Sequence, residues 1–209
     1  MRGGSVPHRG PRLKIIRRLG VQLPGLTRKS GERRPQPPGQ HGHASGRRKK
    51  SAYRKQLEEK QKIRFNYGVT ETQLRRYLQA ALRQPGVTGD VLLAYLERRL
   101  DNVVFRLGLT PTIPAARQLV VHGHLRINGK KVDRPSYLVK PGDTVTVSPR
   151  AKENPAVVDS VTRGPQVRLP QYLAMDPADQ YTGRVIATPL RADVPFVVDV
   201  ASVVEFYAR

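Results

Sequence analysis

The sequence predicts an α+β fold, and three observations carry that prediction. Apolar residues recur at helical spacing through most of residues 51–107, as a helix with one buried face requires. The apolar period then drops to two: Leu125, Ile127 and Val132 flank Asn128-Gly129. Asn-Gly between alternating apolar residues is a strong hairpin signal, because both turn positions need positive φ. Ahead of both regions, residues 1–50 are rich in Gly, Pro, Arg and Lys, a composition that favours an extended basic arm over a core.

Within the arm, Leu13, Ile15, Ile16 and Leu19 stand among Arg12, Lys14, Arg17 and Arg18, enough for one or two helical turns. Pro35, Pro37 and Pro38 then break any helix. Ser51 opens a helix through about Tyr67, with Glu58 and Lys62 four residues apart as a supporting pair. Gly68 ends it. Thr70-Glu71-Thr72-Gln73 is a capping box, and Leu74, Tyr77, Leu78, Ala81 and Leu82 form the next apolar face. Pro85-Gly86 closes that helix. Thr88 caps another, in which Leu92, Leu96, Leu100, Val103, Val104 and Leu107 keep one helical period up to Gly108.

Thr112 caps a further helix with Pro114 in its first turn and Gly123 as its left-handed stop. The Asn128-Gly129 hairpin follows. Ser136–Val139 and Thr144–Val147, around a Pro141-Gly142-Asp143 turn, read as strands of a small antiparallel sheet. Residues 150–166 are weakly patterned, with Pro149, Pro155 and Pro165 as interruptions. Leu169 to Pro177 reads as a packed loop. Val185–Ala187 and Phe196–Val198 read as a strand pair. Asp199 caps a last helix, Val200–Tyr207, whose valines suit a strand nearly as well.

Charge narrows the function. The chain carries +22 at pH 7, a self-repulsion best relieved by a polyanion. Nucleic acid is the first candidate and an anionic membrane surface the second. Residues 1–67 hold 19 Lys or Arg against 3 Asp or Glu, so the N-terminal third is the main electrostatic footprint. A second basic group lies between Arg98 and Arg134, where only Asp101 and Asp133 are acidic. No run of about 18 apolar residues marks a membrane span, and Met1 to Arg18 lacks the apolar core of a signal peptide. The absence of cysteine excludes disulfides, thiolate zinc sites and thiol catalysis.

Catalytic patterns are weak. His41-Gly42-His43 has too few neighbouring ligands for a metal. Gly123 to Lys130 has the wrong spacing and context for a phosphate loop. Asp101 and Asn102, with Arg98 and Arg106 near, read as a helix-surface ion pair. Tyr53, Phe65, Tyr67 and Tyr77 are interleaved with cations, but their spacing suits core positions for most of them. Backbone and shape readout of structured RNA fits this inventory better than base stacking.

Arg98-Arg99-Leu100-Asp101-Asn102-Val103-Val104-Phe105-Arg106-Leu107-Gly108, Ala116-Arg117-Gln118-Leu119-Val120, His122-Gly123-His124 and Ile127-Asn128-Gly129 closely resemble the ribosomal protein S four family of the small subunit. So do Pro37-Pro38-Gly39-Gln40-His41-Gly42, Phe65-Asn66-Tyr67-Gly68 and Val204-Glu205-Phe206-Tyr207. Arg9–Lys14 and Leu23–Thr27 are similar to the cyanobacterial and plastid branch. The resemblance implies a helical N-terminal domain with an inserted RNA-binding domain of two helices and a five-stranded sheet. The corresponding boundaries are an arm over 1–50, a helical domain over 51–96 completed by 180–209, an RNA-binding domain over 97–165, and a C-terminal segment, 166–209, packing back on the helical domain. It further implies binding to the 5′ domain of 16S ribosomal RNA, early subunit assembly, ribosomal protein S five and mRNA near its entry path as neighbours, and a part in translational accuracy. The setting is the cytoplasmic ribosome, with the plastid stroma as the alternative. Some relatives hold a metal on N-terminal cysteines; without them, no zinc and no other cofactor is expected here.

The expected RNA-binding residues are Arg12, Arg17, Arg18, Arg47, Arg48, Lys49, Lys50, Arg54, Lys55 and Lys62 in the N-terminal part, and Arg99, Arg106, Arg117, His122, His124, Arg126, Lys130 and Lys131 in the helix-hairpin module. Two rivals remain. RNA pseudouridine synthases and tyrosyl-tRNA synthetases carry a similar module, but the residues after Val147 are too few for a catalytic domain. A general nucleic-acid packaging protein would bind any duplex alike.

Overall fold

The computed structural model describes residues 10–40, 42 and 51–208. The chain divides into two compact units: residues up to Leu92 together with those from Phe196, and Leu93–Pro195.

In the first unit, α1 (Arg12–Leu19) buries Ile15 and Ile16. They cluster with Leu23 and Leu26, and with Phe65 and Phe196 at the margin. This part of the expected arm is therefore folded. Burying an aliphatic side chain yields roughly 1.5–3 kcal/mol, and the cluster recruits four of them. α2 (Ala52–Asn66) is capped by Ser51, which accepts from Arg54 N at 3.3 Å. Along α2, Lys62 pairs with Glu59, and Glu58 with Arg54 at 3.0 Å, which replaces the expected Glu58–Lys62 pair.

α3 (Glu71–Leu82) starts with the predicted capping box. Thr70 Oγ1 accepts from Gln73 N, and the Gln73 side chain accepts from Thr70 N at 3.1 Å. Its buried face is Leu74, Leu78 and Ala81, while Leu82 is 60% exposed. Leu82 lies one residue, about 100°, beyond Ala81 and so leaves the stripe. α9 (Val200–Ala208) packs on α2. Asp199 caps it by accepting from Ser202 N at 3.4 Å. The Lys60 ammonium lies 4.4 Å from the Phe206 ring centroid, and Tyr207 OH donates to Glu71 at 2.6 Å. The C-terminal stretch is therefore a helix, and Phe196–Val198 belongs to no strand; Phe196 instead lies against Tyr67, ring centroids 5.9 Å apart.

The single helix expected from Thr88 to Leu107 is two: α4 (Thr88–Glu97), with Thr88 as its first residue rather than its cap, and α5 (Leu100–Arg106). Between them Arg99 is extended, φ −64° and ψ 137°. The break is satisfied from outside. Leu100 N donates to Tyr137 O at 2.8 Å, Asp101 N to Pro135 O at 3.3 Å, and Val139 N to Arg98 O at 2.9 Å. Residues 136–139 thus bridge the helix break through Arg99 and Leu138 instead of joining the sheet.

α6 (Ile113–Val121) is capped by Thr112, which accepts from Ala115 N at 3.4 Å. The hairpin β1 (Leu125–Ile127) to β2 (Lys130–Val132) turns through Asn128 at φ 49° and Gly129 at φ 79°. With β3 (Thr144–Val147), β4 (Leu173–Met175) and β5 (Thr182–Val185) it makes a five-stranded antiparallel sheet of order β2-β1-β3-β5-β4. β4 lies in the expected loop, and only Val185 of the expected strand Val185–Ala187 is used. Neither β4, Leu-Ala-Met, nor β5, Thr-Gly-Arg-Val, shows a clear apolar alternation in its sequence. Between β3 and β4 run α7 (Pro149–Lys152) and α8 (Pro155–Arg163), each opening on proline. Proline is favoured in a first turn, so Pro149 and Pro155 are helix starts, while Pro165 follows the α8 cap Gly164.

The domain boundaries shift accordingly. β4 and β5 keep residues 166–195 in the second unit, and only the chain from Phe196 returns to the helical one.

Candidate nucleic-acid interface

The sheet has two chemically distinct faces. Leu125 and Ile127 of β1, Val145 and Val147 of β3 and Val185 of β5 point to the buried side. Gly183 of β5 lets the Leu107 side chain lie against that face; a Cβ there would meet Leu107 Cδ2 at 2.4 Å. On the opposite face Arg126 stands directly across from Lys131 and from Thr146, and Thr144 across from Arg184. Arg126, Lys131 and Arg184 are exposed. Because side chains alternate along a strand, packing one face presents the other as a row of cations and hydroxyls.

The end of α6 extends this row. His122 is the helix C-cap and is exposed, while His124 is half-buried, their rings 6.1 Å apart. Gly123, at φ 71°, lies under the Lys131 stem, and a Cβ would meet Lys131 Cε at 2.1 Å. The Lys131 charge is thereby held beside the helix C-terminus, where the backbone dipole favours a cation. Lys130 is exposed at the start of β2.

Other expected contacts are placed differently. Arg99 and Arg106 are 1% and 3% exposed. Arg99 grips Asp101, Nη2 to Oδ2 at 2.7 Å and Nε to Oδ1 at 3.0 Å. Arg117 donates to the same carboxylate, and its side chain is 22% exposed. Asp101 is fully buried, so the expected surface ion pair is an interior one with different partners. Arg106 donates to the Asp193 carbonyl, and its Nε lies 3.7 Å from Glu97. Glu97, also buried, accepts from Asn102 Nδ2 and Tyr172 OH, each at 2.8 Å. Asn102 also donates to Glu97 O at 3.0 Å, closing the end of α4. Burial and Glu97's charge hold the Tyr172 phenol well above its ordinary pKa. Arg99 and Arg106 therefore act inside the fold, not at a phosphate.

In the first unit Arg12, Arg18, Arg54 and Lys55 are exposed. Arg17 is half-buried and donates to Gln36 O at 2.9 Å. Lys62 is buried against Glu59. Arg47, Arg48, Lys49 and Lys50 lie outside the described residues, as do His41 and His43. Among the described residues no group of three or more His, Asp or Glu is placed to hold a metal ion, and no helix is long and apolar enough to cross a membrane. Arg184 had no signal in the sequence, because β5 lacks a readable alternation.

Comparison with known proteins bears on this geometry. Residues 7–97 match the ribosomal protein S4/S9 N-terminal domain, and residues 98–145 match the S4 domain. Small ribosomal subunit protein uS4 of Methylobacillus flagellatus is 51% identical over 200 residues, covering 96% of this chain and 97% of that protein. That of Thermosynechococcus vestitus is 52% identical over 202 residues, covering 97% and 98%. This chain belongs to the uS4 family. Membership makes it a structural ribosomal protein carrying an RNA-binding S4 domain, not an enzyme. The S4 match spans α5, α6 and the β1–β2 hairpin, and so includes exposed Arg126, Lys130 and Lys131 but not Arg184.

Proposed function

We propose that the chain is a primary 16S ribosomal RNA-binding protein of the small subunit, docking on the 5′ domain and holding several RNA helices in one geometry as the subunit body assembles. The observation that carries this reading is the polar sheet face of the uS4-type module, where Arg126 and Lys131 pair across strands near exposed His122. Cations fixed on short strands suit phosphates at the regular spacing of an RNA helix, and neutralising them releases counterions. Exposed Arg12, Arg18, Arg54 and Lys55 supply contacts from the first unit, with Arg47, Arg48, Lys49 and Lys50 beside them in sequence. Arg117, His122 and His124 serve at the edge of the S4 module.

Further parts of the proposal follow from family membership: ribosomal protein S five and mRNA near its entry path as neighbours, a contribution to translational accuracy, and residence on cytoplasmic ribosomes, with plastid ribosomes as the alternative setting. The reading is tested by assembling small subunits on 16S ribosomal RNA with and without this chain. Omission should stall the 5′ domain early, and addition should restore it. Unimpaired assembly without the chain would contradict the role.

A further inference from the structure

In the first unit, a groove of about 650 Å³ lies between α1 and α2. Its floor is apolar: Ile15, Leu19, Leu57 and Phe65. Tyr53 stands at its wall, 54% exposed, with its ring 5.7 Å from that of Phe206. The charged residues lining it are Lys14, Arg18, Arg54, Arg64 and Glu58, four cations against one carboxylate. The volume falls within the roughly 300–1,000 Å³ of small-ligand sites. An occupant complementary to this groove needs a flat apolar body and a negative attachment. An unstacked nucleobase on its phosphate has both.

The geometry points to a binding site for one or two unpaired nucleotides of RNA, with the base entering between α1 and α2 against Tyr53 and the phosphate held by Arg18 and Lys14. This rests on the RNA-binding reading above and adds base capture to backbone contact. Exposed aromatic rings beside cations are the general means of holding unstacked bases. Arg64 strengthens the site: its guanidinium lies 5.7 Å from the Phe65 ring centroid, a charged plane at the apolar floor.

The test uses the full chain with Tyr53→Ala and Tyr53→Trp. The sequence has no tryptophan, so the second variant carries a single tryptophan, selectively excitable, at the groove. The probes are the 5′-domain ribosomal RNA, an unstructured RNA oligomer and inorganic polyphosphate. Both RNAs should quench the emission and polyphosphate should leave it unchanged. Tyr53→Ala should weaken binding to the 5′-domain RNA about 5- to 100-fold, as loss of one stacked base does, while its affinity for polyphosphate stays that of the wild type. Quenching by polyphosphate as strong as by RNA would overturn base capture in favour of a phosphate site. Unchanged RNA affinity in Tyr53→Ala would also overturn it. Failure of the 5′-domain reading shows separately, as wild-type binding that does not distinguish that RNA from an unrelated duplex.

Discussion

Arg117 donates to Asp101 Oδ2 from both Nη2, at 2.7 Å, and Nε, at 3.2 Å, although the two residues lie in different helices. The same carboxylate holds Arg99, so one buried acid fixes two arginines and ties α5 to α6. Breaking a buried pair from one side costs roughly 3–5 kcal/mol, because the remaining charge is left uncompensated. Asp101→Ala should lower stability by about that amount. Arg117→Ala should cost less, since Arg99 remains paired and Arg117 is partly hydrated. Urea denaturation of the two variants checks the order; equal losses would contradict the shared-acid arrangement.

Gly183 faces Leu107 across the helix–sheet interface. Gly183→Ala should destabilise by about 1–3 kcal/mol, the usual cost of overpacking a close contact. Leu107→Ala alone should also destabilise, by cavity formation. Together the two should lose less than their sum, because the added methyl fills space that leucine vacates. A double-mutant cycle measures this coupling, and strict additivity would contradict the contact.

Titration of two tyrosines predicts an alkaline limit. Burial and Glu97 raise the Tyr172 pKa, and burial with the hydrogen bond to Glu71 raises that of Tyr207. Both start from an ordinary value of 10.0. Their contribution to stability is complete below pH 10 and declines above it, because the unfolded chain releases protons that the folded chain keeps. The sign reverses for Glu71. Burial opposes its ionisation, but the Tyr207 bond and Lys60 outweigh this and hold its pKa below 4.5. Its contribution is present above pH 4.5 and fades as the pH falls below it. Denaturation midpoints across pH 9 to 11.5 should therefore fall, and less steeply in Tyr172→Phe.

Exposed and buried arginines should separate in RNA binding. Arg126→Ala should weaken ribosomal RNA binding at low salt and reduce the slope of log K against log salt by about one phosphate contact. Arg106→Ala should instead lower stability, leaving Glu97 short of a partner, with the salt slope of the folded protein unchanged. Slopes measured in parallel decide between them, and an equal slope change in both would contradict the placement of Arg106.

Those two arginines also show what the sequence made legible. Where a residue's role follows from its immediate neighbours, the reading holds: Thr70 with Gln73, Thr112 with Ala115, Asn128 with Gly129. The position of Arg126 between Leu125 and Ile127 likewise fixed it outward. The role of Arg106 depends on a partner far along the chain, Asp193, and the helix break that turns Arg99 inward depends on residues 137–139, which bridge it. A uniform helical period from Leu92 to Leu107 conceals that break, since both helices bury the same kind of residue. Lys62 is buried against Glu59, three residues before it in α2, a partner that the i,i+4 spacing to Glu58 does not announce. β4 and β5 show no clear apolar alternation, and Arg184 was missed with them.

The most direct test of the account is binding of the purified chain to 5′-domain 16S ribosomal RNA and to an unrelated duplex of equal length, over a series of salt concentrations. The expected result is a preference for the ribosomal RNA of about a thousandfold or more, the lower range of specific nucleic-acid complexes, persisting as salt rises. Equal affinities with one steep salt slope for both RNAs would contradict it, and would make the chain a polycation without a defined site.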